Sequence, residues 1–131
     1  MHRAAVRAVI KHYPGYSWVD RDPEGGAAVD SRPLELVRST SKQFRVVYDV
    51  ADQCLMTAHT MVRGMSPALP TTLSRRMLGS IRTNFPRVTM MSDALEMGAL
   101  GAWAPMTFRS KHSEPGGTAC SMLMRTLRSQ G

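Results

Sequence analysis

Cysteine and aromatic side chains are scarce in this sequence, with two cysteines and an aromatic share of 6%. Cys54 and Cys120 lie far apart and neither belongs to a Cys-x-x-Cys pair, which excludes a structural zinc site or a dense disulfide framework and leaves both as reduced, buried thiols. No stretch of 18 or more apolar residues lacks charge, and the nearest, Met90 to Phe108, contains Asp93, Glu96 and Pro105. A helix spanning a membrane is therefore excluded.

Recognisable chemistry is equally sparse. His2, His12, His59 and His112 have no metal-ligand spacing, so solvent-facing or hydrogen-bonded histidines are expected rather than ligands. Ser39, Ser41 and Ser66 lack a Gly-x-Ser-x-Gly setting, and Gly25-Gly26 and Gly116-Gly117 are not followed by Lys-Ser or Lys-Thr opening a helix; they read as turn residues. Asp49 and Asp52 sit beside Arg45 on a charged helical stripe, where ion pairing accounts for them. No catalytic residue, metal or cofactor is expected, and the chain reads as a non-enzyme.

What is present is charge and methionine. Seventeen Lys and Arg against ten Asp and Glu give a net charge of +7, which favours an acidic partner such as nucleic acid, anionic lipid or an acidic protein surface. The 11 methionines imply a core of flexible thioethers and small aliphatics that adapts to neighbours. A length of 131 residues suits one domain with arms.

The hydrophobic pattern predicts an all-α fold, a three-helix antiparallel bundle. Met1 to His12 carries Arg3, Arg7 and Lys11 on one stripe with no acid, the composition of a mitochondrial transit peptide or a retained basic helix. Residues 1–30 form this helix and an extended, Pro- and Gly-rich arm, 31–104 the bundle, and 105–131 a C-terminal arm. Within the bundle, apolar residues from Val37 through Phe44, Val47, Cys54, Leu55, Ala58 and Val62 predict a helix over Pro33 to Arg63. A second follows Pro70, with Leu73, Met77, Ile81 and Phe85 facing inward before Pro86. A third runs from Ser92 to Trp103, with Asp93 and Glu96 near its N-terminal end. Cys120, Leu123, Met124 and Leu127 make Thr118 to Arg128 a docking helix. No strand pattern extends beyond short β-branched patches.

Gln43-Phe44-Arg45 on a basic helix resembles a Leu-Tyr-Arg signature, with Gln43 and Phe44 in place of the Leu and Tyr. Ile81-Arg82-Thr83-Asn84-Phe85 is similar to the downstream helix of the same family, although Pro86 replaces the Arg that usually follows the Phe. Val88 to Asp93 is similar to the linker before its third helix. These segments resemble the LYR-motif proteins, three-helix mitochondrial adaptors, over roughly Ser31 to Trp103.

The resemblance implies a non-catalytic accessory subunit of a mitochondrial inner-membrane respiratory complex, such as complex I, on the matrix side and among other subunits. It also implies a contact with an acyl carrier protein through Arg45, with Phe44, Lys42, Arg75, Arg76, Arg82 and Phe85 as further partner-binding residues. The alternative from charge is a mitochondrial ribosomal protein holding rRNA through Arg and Lys contacts to phosphate.

Overall fold

Short strands, many of them parallel, share the chain with helices in the computed structural model, which describes residues 8–48 and 54–103. Six strands and two α-helices follow in the order β1 (Val9–Tyr13), β2 (Ala28–Asp30), α1 (Leu34–Tyr48), β3 (Cys54–Thr57), β4 (Thr60–Val62), β5 (Ser66–Pro70), α2 (Arg75–Asn84) and β6 (Thr89–Ser92). Short 3-10 turns cover Thr71–Leu73 and Gly98–Trp103. The fold is mixed α/β, which corrects the expected all-α bundle.

The strands form two three-stranded sheets. The first, in the order β1-β3-β6, is wholly parallel, with Tyr13 opposite Thr57 and Thr57 opposite Ser92. In the second, β2-β4-β5, β2 runs parallel to β4 and β5 antiparallel to it. Only Ala58 and His59 separate β3 from β4, so one extended stretch, Cys54 to Val62, changes partners midway.

Helix α1 begins just after Pro33, whose carbonyl accepts from Leu36 and Val37; its fixed φ suits entry into a helix. It buries Val37 and Phe44. Helix α2 is capped by Ser74, whose side chain accepts a hydrogen bond from the backbone N–H of Met77 at 3.3 Å, satisfying a donor the first turn leaves unpaired. It buries Met77, Leu78 and Ile81.

These faces meet Tyr13, Leu55, Val62, Phe85, Val88 and Met90 in one core. Tyr13 packs edge-on to both Phe44 and Phe85, at centroid distances of 5.2 and 5.9 Å, a favoured quadrupolar arrangement. Ile81 is wholly enclosed. Ile81→Ala is expected to destabilise the chain by about 2–5 kcal/mol, read as a lower urea midpoint.

The departures from the helical expectation have local causes. Cys54 to Val62 places apolar residues at spacings that satisfy a helix, but it forms two short strands with Leu55, Thr57, Thr60 and Val62 buried and Cys54, Met56 and Met61 half-buried; Thr on the buried side and Met on the other hide that alternation in the sequence. Cys54 opens β3 and is half-buried, not sealed on a helix face. Ser92 closes β6, and in place of a third α-helix there is a 3-10 turn at Gly98–Trp103. There, an added Cβ on Gly98 would lie 2.5 Å from the Glu24 carbonyl oxygen. The absence of that carbon lets the Gly98 and Ala99 amides donate to the Glu24 and Pro23 carbonyls, at 3.1 and 2.8 Å.

Val9 to Tyr13 is a strand where a basic helix was expected up to His12; residues 1–7 of that segment, along with Ala51, Asp49, Asp52, Cys120 and the expected C-terminal docking helix, lie outside the described residues. No helix among the described residues is long and apolar enough to cross a membrane.

Candidate functional site

Three parallel strands deliver three titratable side chains to one edge. Because β1, β3 and β6 point the same way, their carboxyl ends coincide; His12 is the penultimate residue of β1, His59 stands two residues after β3, and Asp93 follows β6 directly. The carboxyl edge of a parallel sheet is where α/β proteins commonly place ligands. The β1 pairing is irregular between Ile10 and Tyr13, and such irregularity re-aims a side chain beside a site.

The Asp93 carboxylate is held at both oxygens. Its Oδ1 accepts from the backbone N–H of Ala94 at 2.9 Å, and its Oδ2 lies 3.0 Å from His12 Nε2. Both side chains keep access to solvent, 22% for Asp93 and 23% for His12, so the pair is reachable by a ligand. The His12 ring also lies against Tyr16, with centroids 4.7 Å apart. The Tyr16 hydroxyl in turn accepts from the His59 backbone N–H at 3.2 Å, tying the loop after β1 to the end of β3. Burial raises the Tyr16 phenol above its ordinary range, so it stays a neutral hydroxyl.

His59 sits behind this pair and is buried. Its Nε2 is 2.9 Å from the Ala94 carbonyl oxygen and its Nδ1 is 2.9 Å from Thr72 Oγ1. A carbonyl only accepts, so Nε2 carries the proton and, in the neutral ring, Nδ1 accepts from the Thr72 hydroxyl. Thr57 Oγ1, 2.9 Å from Thr72 Oγ1, then donates to it. The resulting chain, Thr57 to Thr72 to His59 to Ala94, fixes the backbone beside Asp93.

Burial lowers the pKa of His59, opposed by its bond to Ala94 and by the charge on Asp93. Burial also lowers that of His12, partly offset by Asp93. Both rings are therefore harder to protonate folded than unfolded, and below the ordinary value of 6.5 the unfolded chain binds more protons. Stability is full above that pH and declines below it. The urea midpoint is expected to fall between about pH 7 and about pH 5, with a shallower fall in His59→Asn.

A second charged arrangement, at the end of β2, is closed. Asp30 and Arg32 are both buried; Arg32 Nε lies 2.9 and 3.0 Å from the two Asp30 oxygens, Nη2 joins Oδ2, and Nη1 donates to Thr40 Oγ1 at 2.7 Å. With every oxygen of Asp30 engaged by Arg32, this carboxylate is structural. Among the described residues no group of three or more His, Cys, Asp or Glu side chains is placed to hold a metal.

The partner-binding residues expected from the sequence divide into three sets. Phe44 is in the core. Lys42, Arg45 and Phe85 line one groove between α1 and α2. Arg75, Arg76 and Arg82 are exposed on α2 and do not line that groove. Sequence reasoning missed His12, Tyr16 and Asp93 as a cluster. The signal was a short apolar run ending on a titratable residue, repeated at Val9-Ile10-Lys11-His12, Leu55-Met56-Thr57-Ala58-His59 and Met90-Met91-Ser92-Asp93.

Comparison with known proteins agrees with the sheet and not with the bundle. A beta-hexosaminidase from Methylobacillus flagellatus is 32% identical over 114 residues, covering 84% of this chain and 32% of that protein. A beta-hexosaminidase from Pseudomonas aeruginosa is 33% identical over 103 residues, covering 76% of this chain and 30% of its own length. The chain thus spans about a third of the length of the curated relatives it matches. Among solved structures, a glycoside hydrolase family 3 beta-N-acetylglucosaminidase from Paenibacillus superposes with a TM-score of 0.69 at 26% identity, covering 75% of this chain and 19% of that one. No protein-family model matches.

These likenesses overturn the LYR-motif resemblance and, with it, the respiratory-subunit and ribosomal readings. The mitochondrial location falls too, since these relatives are bacterial, as does the expectation of a non-enzyme, since they are named as enzymes.

Proposed function

We propose that this chain carries part of a site that binds and cleaves N-acetylhexosamine glycosides, with Asp93 as its reacting carboxylate. The observation that carries this reading is the placement of Asp93: at the carboxyl end of a parallel strand, open to solvent, with one oxygen fixed by the Ala94 amide and the other by His12. The similarity to proteins named beta-hexosaminidase supplies the substrate class.

Glycosidic cleavage passes through an oxocarbenium-like transition state, and an ionised carboxylate against the sugar ring stabilises the charge that develops, or attacks the anomeric carbon directly. Two donors pre-set the orientation of Asp93, so little reorganisation is needed as charge builds. His12, losing nothing by giving its Nε2–H to that carboxylate, keeps it in place without competing for the sugar. The loop between β1 and β2 is fastened by Tyr16 to the end of β3 and by the Pro23 and Glu24 carbonyls to the turn at Gly98–Ala99.

The test is incubation of the full chain with 4-nitrophenyl N-acetyl-β-D-glucosaminide, following 4-nitrophenol release alongside NMR shifts. Saturable binding that moves the His12 and Tyr16 resonances, with release of the phenol, is the expected result. An unperturbed spectrum at saturating sugar together with no release would overturn the reading.

A further inference from the structure

The groove between α1 and α2 is chemically one-sided. It encloses about 730 Å³ and is lined by Tyr13, Val37, Met65 and Phe85 on its floor and by Arg38, Lys42 and Arg45 at its rim, with Ser41, Ser80 and Asn84 between. Among the described residues no carboxylate lines it. The three cations fall at i, i+4 and i+7 of α1, hence on one face within about 10 Å of helix length. Among the described residues none of the three has an ion-pair partner. Like charges this close repel, and a bound anion relieves that repulsion. The groove shares no residue with the cluster of His12, Tyr16, His59 and Asp93.

We infer that this groove binds a phosphate monoester carrying an aliphatic body, its phosphate beneath Arg38, Lys42 and Arg45 and its apolar part on Tyr13, Val37, Met65 and Phe85. The volume is that of an ordinary small-molecule site. A dianionic head with three acceptor oxygens matches three converging cations, two of them guanidinium forks suited to phosphate geometry, better than a single carboxylate does. The chain's own residues 104–131 are poor occupants, since they carry Arg109, Lys111, Arg125 and Arg128 against Glu114 alone.

The test is calorimetric titration of the full chain with octyl phosphate below its micellar concentration, with inorganic phosphate, 1-octanol and phosphatidic acid vesicles as separate arms. Octyl phosphate should bind at least about tenfold more tightly than phosphate or octanol alone, and the double variant Lys42→Gln/Arg45→Gln should weaken it by about tenfold or more, as expected for loss of charge-assisted hydrogen bonds. Ser80→Tyr, which fills the groove from α2 without altering charge, should also abolish binding. Retained affinity in both variants would overturn the site, as would octanol matching octyl phosphate. Binding to vesicles with none to free octyl phosphate would replace it by a lipid surface.

Discussion

Arg32→Leu is expected to be the most damaging single substitution in the described chain, lowering stability by about 3–5 kcal/mol through the stranding of a buried carboxylate. Asp30 is wholly enclosed and receives hydrogen bonds from the Arg32 backbone amide and from its guanidinium. Desolvating a carboxylate is tolerable only while such donors remain. With Leu at position 32, Asp30 must either stay charged without a partner or take up a proton at neutral pH, and both routes weaken the fold. The double variant Asp30→Leu/Arg32→Met should recover most of the loss, because two apolar side chains of similar size dispense with desolvation altogether. Urea midpoints of the single and double variants decide the matter: equal losses in both would show that the position, not the charge, is what counts.

Asp93→Asn is expected to lower kcat/KM for an N-acetylhexosamine glycoside by at least about 100-fold, a loss in the range measured for removing one group that acts on the reacting centre. The amide keeps the shape, and its one oxygen can still accept from the Ala94 N–H while its NH2 faces His12 and can only donate; with both side chains partly open to solvent, the fold should tolerate the change. A second readout does not depend on turnover. The Asp93 charge raises the His12 pKa against the larger lowering by burial, so its neutralisation should drop that pKa further, visible by NMR titration of the His12 ring. Unchanged activity with a shifted His12 would leave the pair real but remove Asp93 from the chemistry.

Some of this was legible in the residues and some was not. Helix α2 was foreseeable, because Met77, Ile81 and Phe85 recur at four-residue steps between a Ser/Thr-rich start and Pro86, and no alternative structure buries that stripe as well. The strands were not. β3 and β6 are four residues each, β3 paired in parallel on both sides and β6 on one; they lack the length that marks an isolated strand, and Met56, Met90 and Met91, at buried and half-buried positions alike, hide their alternation. Their Met content misled further, since methionine favours helices by intrinsic propensity.

The site was hidden for a related reason. Asp93 looks like an acid favouring a helix N-terminus, and His59 like one polar residue in a long helix, until the three strand ends are aligned. Its members are 81 positions apart at the extremes, His12 to Asp93, and only the parallel register of β1, β3 and β6 brings them together. The groove residues Lys42 and Arg45 were visible as a basic stripe, whereas the apolar floor beneath them required the packing of α1 on Tyr13 and Phe85.

The stretch from Cys54 to Val62 serves the first sheet up to Thr57 and the second from Thr60. Neither sheet can then release its central strand without dragging on the other, so the amides of Leu55 and Met61 should exchange with deuterium at similar, slow rates despite belonging to different sheets. Loosening the junction at Ala58–His59 would uncouple those rates, and the segment that sets the backbone beside Asp93 would be the first to open.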